Sequence, residues 1–137
     1  MNLIAEEVKN YLSEQTYPYK IKFTREFDPS DIVFPRVIVS QIDDTTAIRT
    51  ANDEYASFIG IQLEIYTKDC VKLDGSVANK ITASDEICEA IDNVMYSKYR
   101  MNRADVDSDD YYTTDVSRKI IRYDGYIDRQ GYIYRTL

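Results

Sequence analysis

The sequence predicts an α+β fold: one mostly antiparallel or mixed β-sheet with two helices packed on one face, in a single domain spanning residues 1–137. Three observations predict it. Two segments, one at the N-terminus and one between about residues 77 and 99, repeat apolar residues at helical spacing. The segments around them alternate with a period of two. The clearest of these, Phe58–Thr67, is apolar on one side and mixed on the other, so it needs cover on a single face. The order is α-β-β-β-α-β-β-β, without an internal repeat or linker.

The first helix is set by Ile4, Val8, Tyr11 and Leu12, which share one helical face. Asn2 is placed to cap it, and Glu6 and Glu7 sit near the positive end of its dipole. It ends before Tyr17-Pro18, because a residue preceding proline avoids the helical region. Tyr19–Thr24 reads as a half-buried strand, with Tyr19, Ile21 and Phe23 inward and Lys20 and Lys22 outward. Asp28-Pro29-Ser30-Asp31 marks a loop. Pro35–Ile42 is a strand whose unbroken run Val37-Ile38-Val39 predicts cover on both faces. Asp43–Ser57 is polar, and is either a loop or a long hairpin extending the strands beside it.

Lys68–Ser76 reads as a connection, followed by a helix from about Val77 to Tyr99. Ile81, Ser84, Cys88, Ile91 and Met95 form its stripe, with Ile87 and Val94 beside it. Asp85 and Glu86 fall early and Lys98 and Arg100 late, as its dipole favours. Met101–Ser117 is acidic, with a strand expected only over Met101–Val106 and a loop beyond it. Arg118–Asp128 alternates and is a strand; Arg129-Gln130-Gly131 is a turn; Gly131–Arg135 closes as an edge strand.

Composition bounds the function. A net charge of −7, from 24 acids against 17 bases, argues against gripping nucleic acid through a broad basic face. Two separated cysteines, Cys70 and Cys88, predict reduced thiols, with Cys88 buried on a helix. No secretory signal or membrane span is predicted, which points to a cytoplasmic site of synthesis.

The chain has no histidine, which removes His-based general-base catalysis, His-paired nucleophiles and His metal ligands. Asp105-Val106-Asp107-Ser108-Asp109-Asp110 resembles the start of a calcium loop, but the sixth position is Asp110 where glycine belongs and the twelfth is Val116 where glutamate belongs. The adjacent acids Asp43-Asp44 and Asp109-Asp110 suit a metal-dependent enzyme only if acids from separate elements converge. No catalytic residue, metal or cofactor is expected. An acidic module that sequesters a basic protein, as DNA mimics do, is a further class.

Tyrosine stands out, with 13 residues, six of them between Tyr111 and Tyr134. Tyr123 shares a face with Ile121 and Ile127 and is expected in the core. Tyr126, Tyr132 and Tyr134, together with Arg122, Asp124 and Arg135, are candidates for a subunit or partner interface.

The order of elements, the central FIGIQLEIYTKD and the closing RKIIRYDGYIDRQGYIYR resemble the tail terminator (tail completion, minor tail) proteins of long-tailed bacteriophages. The resemblance runs over nearly the whole chain. It rests on the Ile-rich strand before a long helix, then Arg118 or Lys119, Arg122-Tyr123, Asp128 and Tyr132–Arg135. It implies a non-enzymatic virion protein forming a ring, commonly a hexamer, assembled in the host bacterial cytoplasm. The ring would cap the tail tube at its head-proximal end, touching the major tail tube protein and the head connector. DNA would meet it only in passage through the lumen, which acids would line; Asp43, Asp44, Asp53, Glu54, Asp105, Asp107, Asp109 and Asp110 are the candidates, in two acidic loops. A head–tail joining or neck adaptor would have a similar build.

Overall fold

The computed structural model describes residues 4–30, 33–49, 55–109, 112–128 and 133–134, and only the backbone of 43–49, 55–58, 127–128 and 133–134. The elements run α1 (Ile4–Ser13), β1 (Lys22–Thr24), β2 (Arg36–Arg49), β3 (Tyr55–Thr67), β4 (Cys70–Val71), β5 (Val77–Ala78), α2 (Lys80–Val94), β6 (Asn102–Asp109), β7 (Ser117–Asp128) and β8 (Ile133–Tyr134). The main sheet has the order β1-β2-β3-β7-β6, with β8 also paired to β7. Its pairings are antiparallel except β1 with β2, so the sheet is mixed. Both helices pack on one face, α1 over β1 and β2 and α2 over β3 and β7. This is the predicted α+β architecture.

Alternation decides which face is covered. Val37 and Val39 of β2, Ile59, Ile61, Leu63 and Ile65 of β3, and Ile121 and Tyr123 of β7 point to the helices and are buried. Against them stand Ile4, Ala5, Val8 and Leu12 from α1, and Ala83, Ile87, Cys88 and Ile91 from α2. The buried Tyr123 hydroxyl donates to Asp92 Oδ1 of α2 at 2.9 Å. On the opposite face, Ile38, Tyr66 and Val116 form a smaller buried cluster with Phe34 beside it. Val37-Ile38-Val39 is therefore covered on both sides, as its unbroken apolar run predicts.

The second helix is shorter than its sequence pattern. Val77-Ala78 pair with Cys70-Val71 in the small β4–β5 hairpin, so the helix begins after them. Asn79 caps it, its side chain accepting from the Thr82 N–H at 2.8 Å. Ile81, expected on the inner stripe, lies in the first turn and is 36% exposed. The far end widens into a π-helical turn, Met95–Tyr99, which buries both Met95 and Tyr99 and stops at Arg100 with φ 55°. Because the helix begins at Lys80, its first turn holds no acid, and Asp85 and Glu86 act through contacts with other elements and not through its dipole. Asp85 binds Lys119 of β7 at 2.5 Å, while Glu86 accepts from the Tyr19 hydroxyl and pairs with Lys72 at 3.0 Å.

Two more boundaries shift. The first strand is laddered only over Lys22–Thr24, because the chain before it faces the β4–β5 connection instead: the Pro18 carbonyl accepts from Leu73 N–H at 2.9 Å. At the other end, Arg49 stands opposite Tyr55, so the described ends of Asp43–Ser57 extend β2 and β3 as an antiparallel pair, with a register irregularity between Asp43 and Ala47.

Leu63 is fully buried at the centre of the inner face, whereas Val106 is 40% exposed at the edge. Leu63→Ala is expected to cost about 2–5 kcal/mol of unfolding free energy, and Val106→Ala less than about 0.5 kcal/mol. Urea unfolding of the two variants checks the contrast.

Candidate assembly surface

The side of the sheet away from the helices carries most of the residues singled out for interaction. Register places Arg118, Ile120, Arg122, Asp124 and Tyr126 of β7 there, with Gly60, Gln62, Glu64 and Tyr66 of β3 beside them. Arg122 Nε donates to Asp124 Oδ1 at 2.9 Å, and both side chains are partly exposed. The pair lies across Gly60, where a Cβ would come within 3.4 Å of Asp124 Oδ1 and 3.6 Å of Arg122 Nε. Both are ordinary van der Waals distances; the tighter neighbour of such a Cβ is Ile42 Cβ of β2, at 3.3 Å. Two interface candidates are therefore held by each other, which fixes their orientation on the surface.

Tyr126 is half-buried on the same face, opposite Phe58 of β3 and Tyr134 of β8 in register. Since β3 occupies one side of β7 as far as Asp128, β8 must pair on the other side, where β6 lies. The two strands follow one another along the same margin of the sheet. Tyr134 is placed in β8 by its backbone, while Tyr132 and Arg135 lie outside the described residues.

The acidic candidates require a correction. Those among the described residues stand in strands and not in loops. Asp43 and Asp44 belong to β2, and Asp105, Asp107 and Asp109 belong to β6; Asp53, Glu54 and Asp110 lie outside the described residues. In β6 the aspartates face Arg122, Ile120 and Arg118 across the ladder, and every residue of the strand is exposed. The strand expected over Met101–Val106 is present but runs on to Asp109, through residues read as loop because nothing in them needs burial: backbone pairing to β7 holds them. A residue of β6 left over between the Arg103 and Asp105 pairings adds a bulge.

Sequence reasoning missed two features. Arg36, at the start of β2, is only 4% exposed; its guanidinium lies 5.2 Å from the Phe34 ring centre, 5.3 Å from Tyr66 and 5.7 Å from Phe27. An available signal was its period with Ile38 on the face opposite Val37 and Val39. The second is a groove of about 540 Å³ beside β1, with Ile21, Val33, Phe34 and Val71 in its walls and Lys20 and Lys22 at its rim. Beyond it the β4–β5 hairpin presents Val71, Leu73 and Val77, which are 62%, 66% and 79% exposed. The alternation of Lys20 and Lys22 with Ile21 read only as a half-buried strand, and the hairpin only as a connection.

Cys88 is buried on α2, as expected, and Cys70 half-buried in β4; burial raises both thiols above their ordinary range. Among the described residues, no group of three or more Cys, Asp or Glu side chains is arranged to hold a metal ion. None of their helices is long and apolar enough to cross a membrane. Comparison of the chain with protein-family models finds no match, and comparison with curated proteins finds none.

Tyrosine burial makes the fold sensitive to alkali. Burial, with the Glu64 carboxylate second, pushes Tyr66 up from the ordinary 10 to about 12. Burial also raises Tyr17, Tyr19, Tyr99 and Tyr123, with the carboxylates of Glu86 and Asp92 adding to it at Tyr19 and Tyr123. A raised folded value means that the unfolded chain loses its proton first. The stabilisation is whole below about pH 10 and declines as pH rises through the folded values. Denaturant midpoints are expected to fall steeply between about pH 10 and 12, with most tyrosinate absorbance appearing together with unfolding.

Proposed function

We propose that the protein is a non-enzymatic, ring-forming tail terminator of a long-tailed bacteriophage. It would cap the tail tube at its head-proximal end and present the opposite side of the ring to the head connector. The observation that carries this reading is the margin formed by β6 and β8. Two strands from the C-terminal third lie end to end along β7, and no described strand covers their outer side. An exposed strand edge pairs readily with a neighbouring chain, and a head-to-tail contact closes into a ring when its rotation allows. The same C-terminal stretch, Arg118–Arg135, carries the resemblance to the tail terminators.

Charge supports the reading from a second side. A tunnel through which DNA passes must not hold it, and a net charge of −7 disfavours phosphate contacts. Assembly would take place in the host bacterial cytoplasm and end in the virion.

Native mass spectrometry is expected to show a sixfold multiple of the 16.0 kDa chain, and the purified protein is expected to arrest growth of tubes made from the cognate major tail protein. Tyr126→Ala is expected to weaken assembly about tenfold while leaving the circular dichroism of the monomer unchanged. A chain that stays monomeric at every concentration and leaves tube growth unaltered overturns the proposal. A neck adaptor of the same build would bind the connector without arresting the tube.

A further inference from the structure

We infer that the acidic strand β6 of one copy docks beside β1 of the next, along the lysine-rimmed groove, and that opposite charge fixes this head-to-tail direction. The inference rests on the ring proposed above and names its contact. The sheet ends in β1 on one side and β6 on the other. Three edge pairings are open to such a sheet: β6 with β6, β1 with β1, and β6 with β1. The first two join like edges and make closed pairs; only the third repeats around a ring.

Charge separates the three. Along β6, Asp105, Asp107 and Asp109 fall on one face of an exposed strand. Asp105 and Asp109 face Arg122 and Arg118 across the ladder to β7, but two such strands side by side would still bring six carboxylates together along the seam, and like charges across a strand pair are destabilising. The segment at the other edge carries Lys20 and Lys22, both exposed, at the rim of the groove. A β1–β1 contact would bring four ammonium groups together. The mixed contact alone places aspartates against lysines.

The apolar parts agree. Val106 stands 40% exposed between Asp105 and Asp107, on the opposite face of its strand. The groove offers Val33, 46% exposed, and Val71, 62% exposed. A strand with an exposed valine on one face and acids on the other matches an edge whose groove is lined by both apolar side chains and lysines. β1 ladders over only three residues, so its backbone can add few hydrogen bonds and side chains must supply most of the specificity. On this assignment Asp105, Asp107 and Asp109 serve the subunit contact and do not line the lumen.

Reciprocal charge reversal tests it. One variant carries Asp105→Lys and Asp107→Lys; the other carries Lys20→Glu and Lys22→Glu. Alone, each has two edges of like charge, and each is expected to assemble at least tenfold less than wild type. Mixed in equal amounts, the lysine-bearing β6 of the first meets the glutamate-bearing β1 of the second, while the native β6 of the second meets the native β1 of the first. The mixture is expected to restore rings with the two chains alternating, read as equal numbers of each in the native mass spectrum. Restoration also shows that both variants fold. Rings that form undiminished from either variant alone overturn the contact while leaving the ring reading standing, as does loss of assembly that mixing fails to restore when both variants keep the wild-type circular dichroism. A wild-type chain that forms no ring overturns both.

Discussion

Everything in this fold depends on burying one face of β3. Ile59, Ile61, Leu63 and Ile65 project to the same side of the central strand and are almost wholly removed from water. Two neighbouring strands extend that apolar surface, but no arrangement of strands in a single layer can cover it. Helices must, and they must lie on that side. The placement of α1 and α2, the inward hydroxyl of Tyr123 on Asp92 and the ties from Asp85 and Glu86 to other elements all follow from this one-sided requirement. The other side of the sheet is left without a helical layer, and its small cluster around Tyr66 covers only one end.

What was legible in the sequence tracks how strongly burial acted. The inner residues of β3 and β7 alternate because each second residue is buried, so both strands and the inward position of Tyr123 could be read directly. The first helix could be read for the same reason. Where burial does not act, the pattern weakens: β6 was legible only as far as Val106, and Asp107–Asp109, held by hydrogen bonds to β7, look like a loop. The start of α2 was obscured by a competing interaction. Val77-Ala78 continue the apolar helical spacing, yet a two-residue ladder to Cys70-Val71 takes them, and Asn79 begins the helix instead.

Arg36 shows a different limit. An arginine near a strand start is normally read as a solvated charge, and here its guanidinium is enclosed by Phe27, Phe34 and Tyr66. Phe34 stands two residues before it and Phe27 in the same connection, but Tyr66 comes from the end of β3, and only tertiary structure brings that face to it. The candidate interface was legible to an intermediate degree. Alternation put Arg122, Asp124 and Tyr126 on the outer face correctly, but the Arg122–Asp124 hydrogen bond is a matter of side-chain geometry that a period of two does not specify.

An open sheet margin is a hazard as well as an opportunity, because unpaired backbone groups accept any compatible strand. Natural sheets answer this with charge, with bulges and with short edge strands, and this sheet uses all three: aspartates along β6, the irregularity between Arg103 and Asp105, and a β1 of three residues. Such devices by themselves only prevent association. Selectivity arises when the two margins carry opposite signs, since repulsion then removes self-pairing while leaving one combination attractive. Acid at β6 and lysine at β1 meet that condition. In the head-to-tail contact proposed above, the charge that keeps the margin from aggregating would also specify its partner, and a repeat adding only head to tail would be bounded by geometry, closing when the accumulated rotation returns to its start.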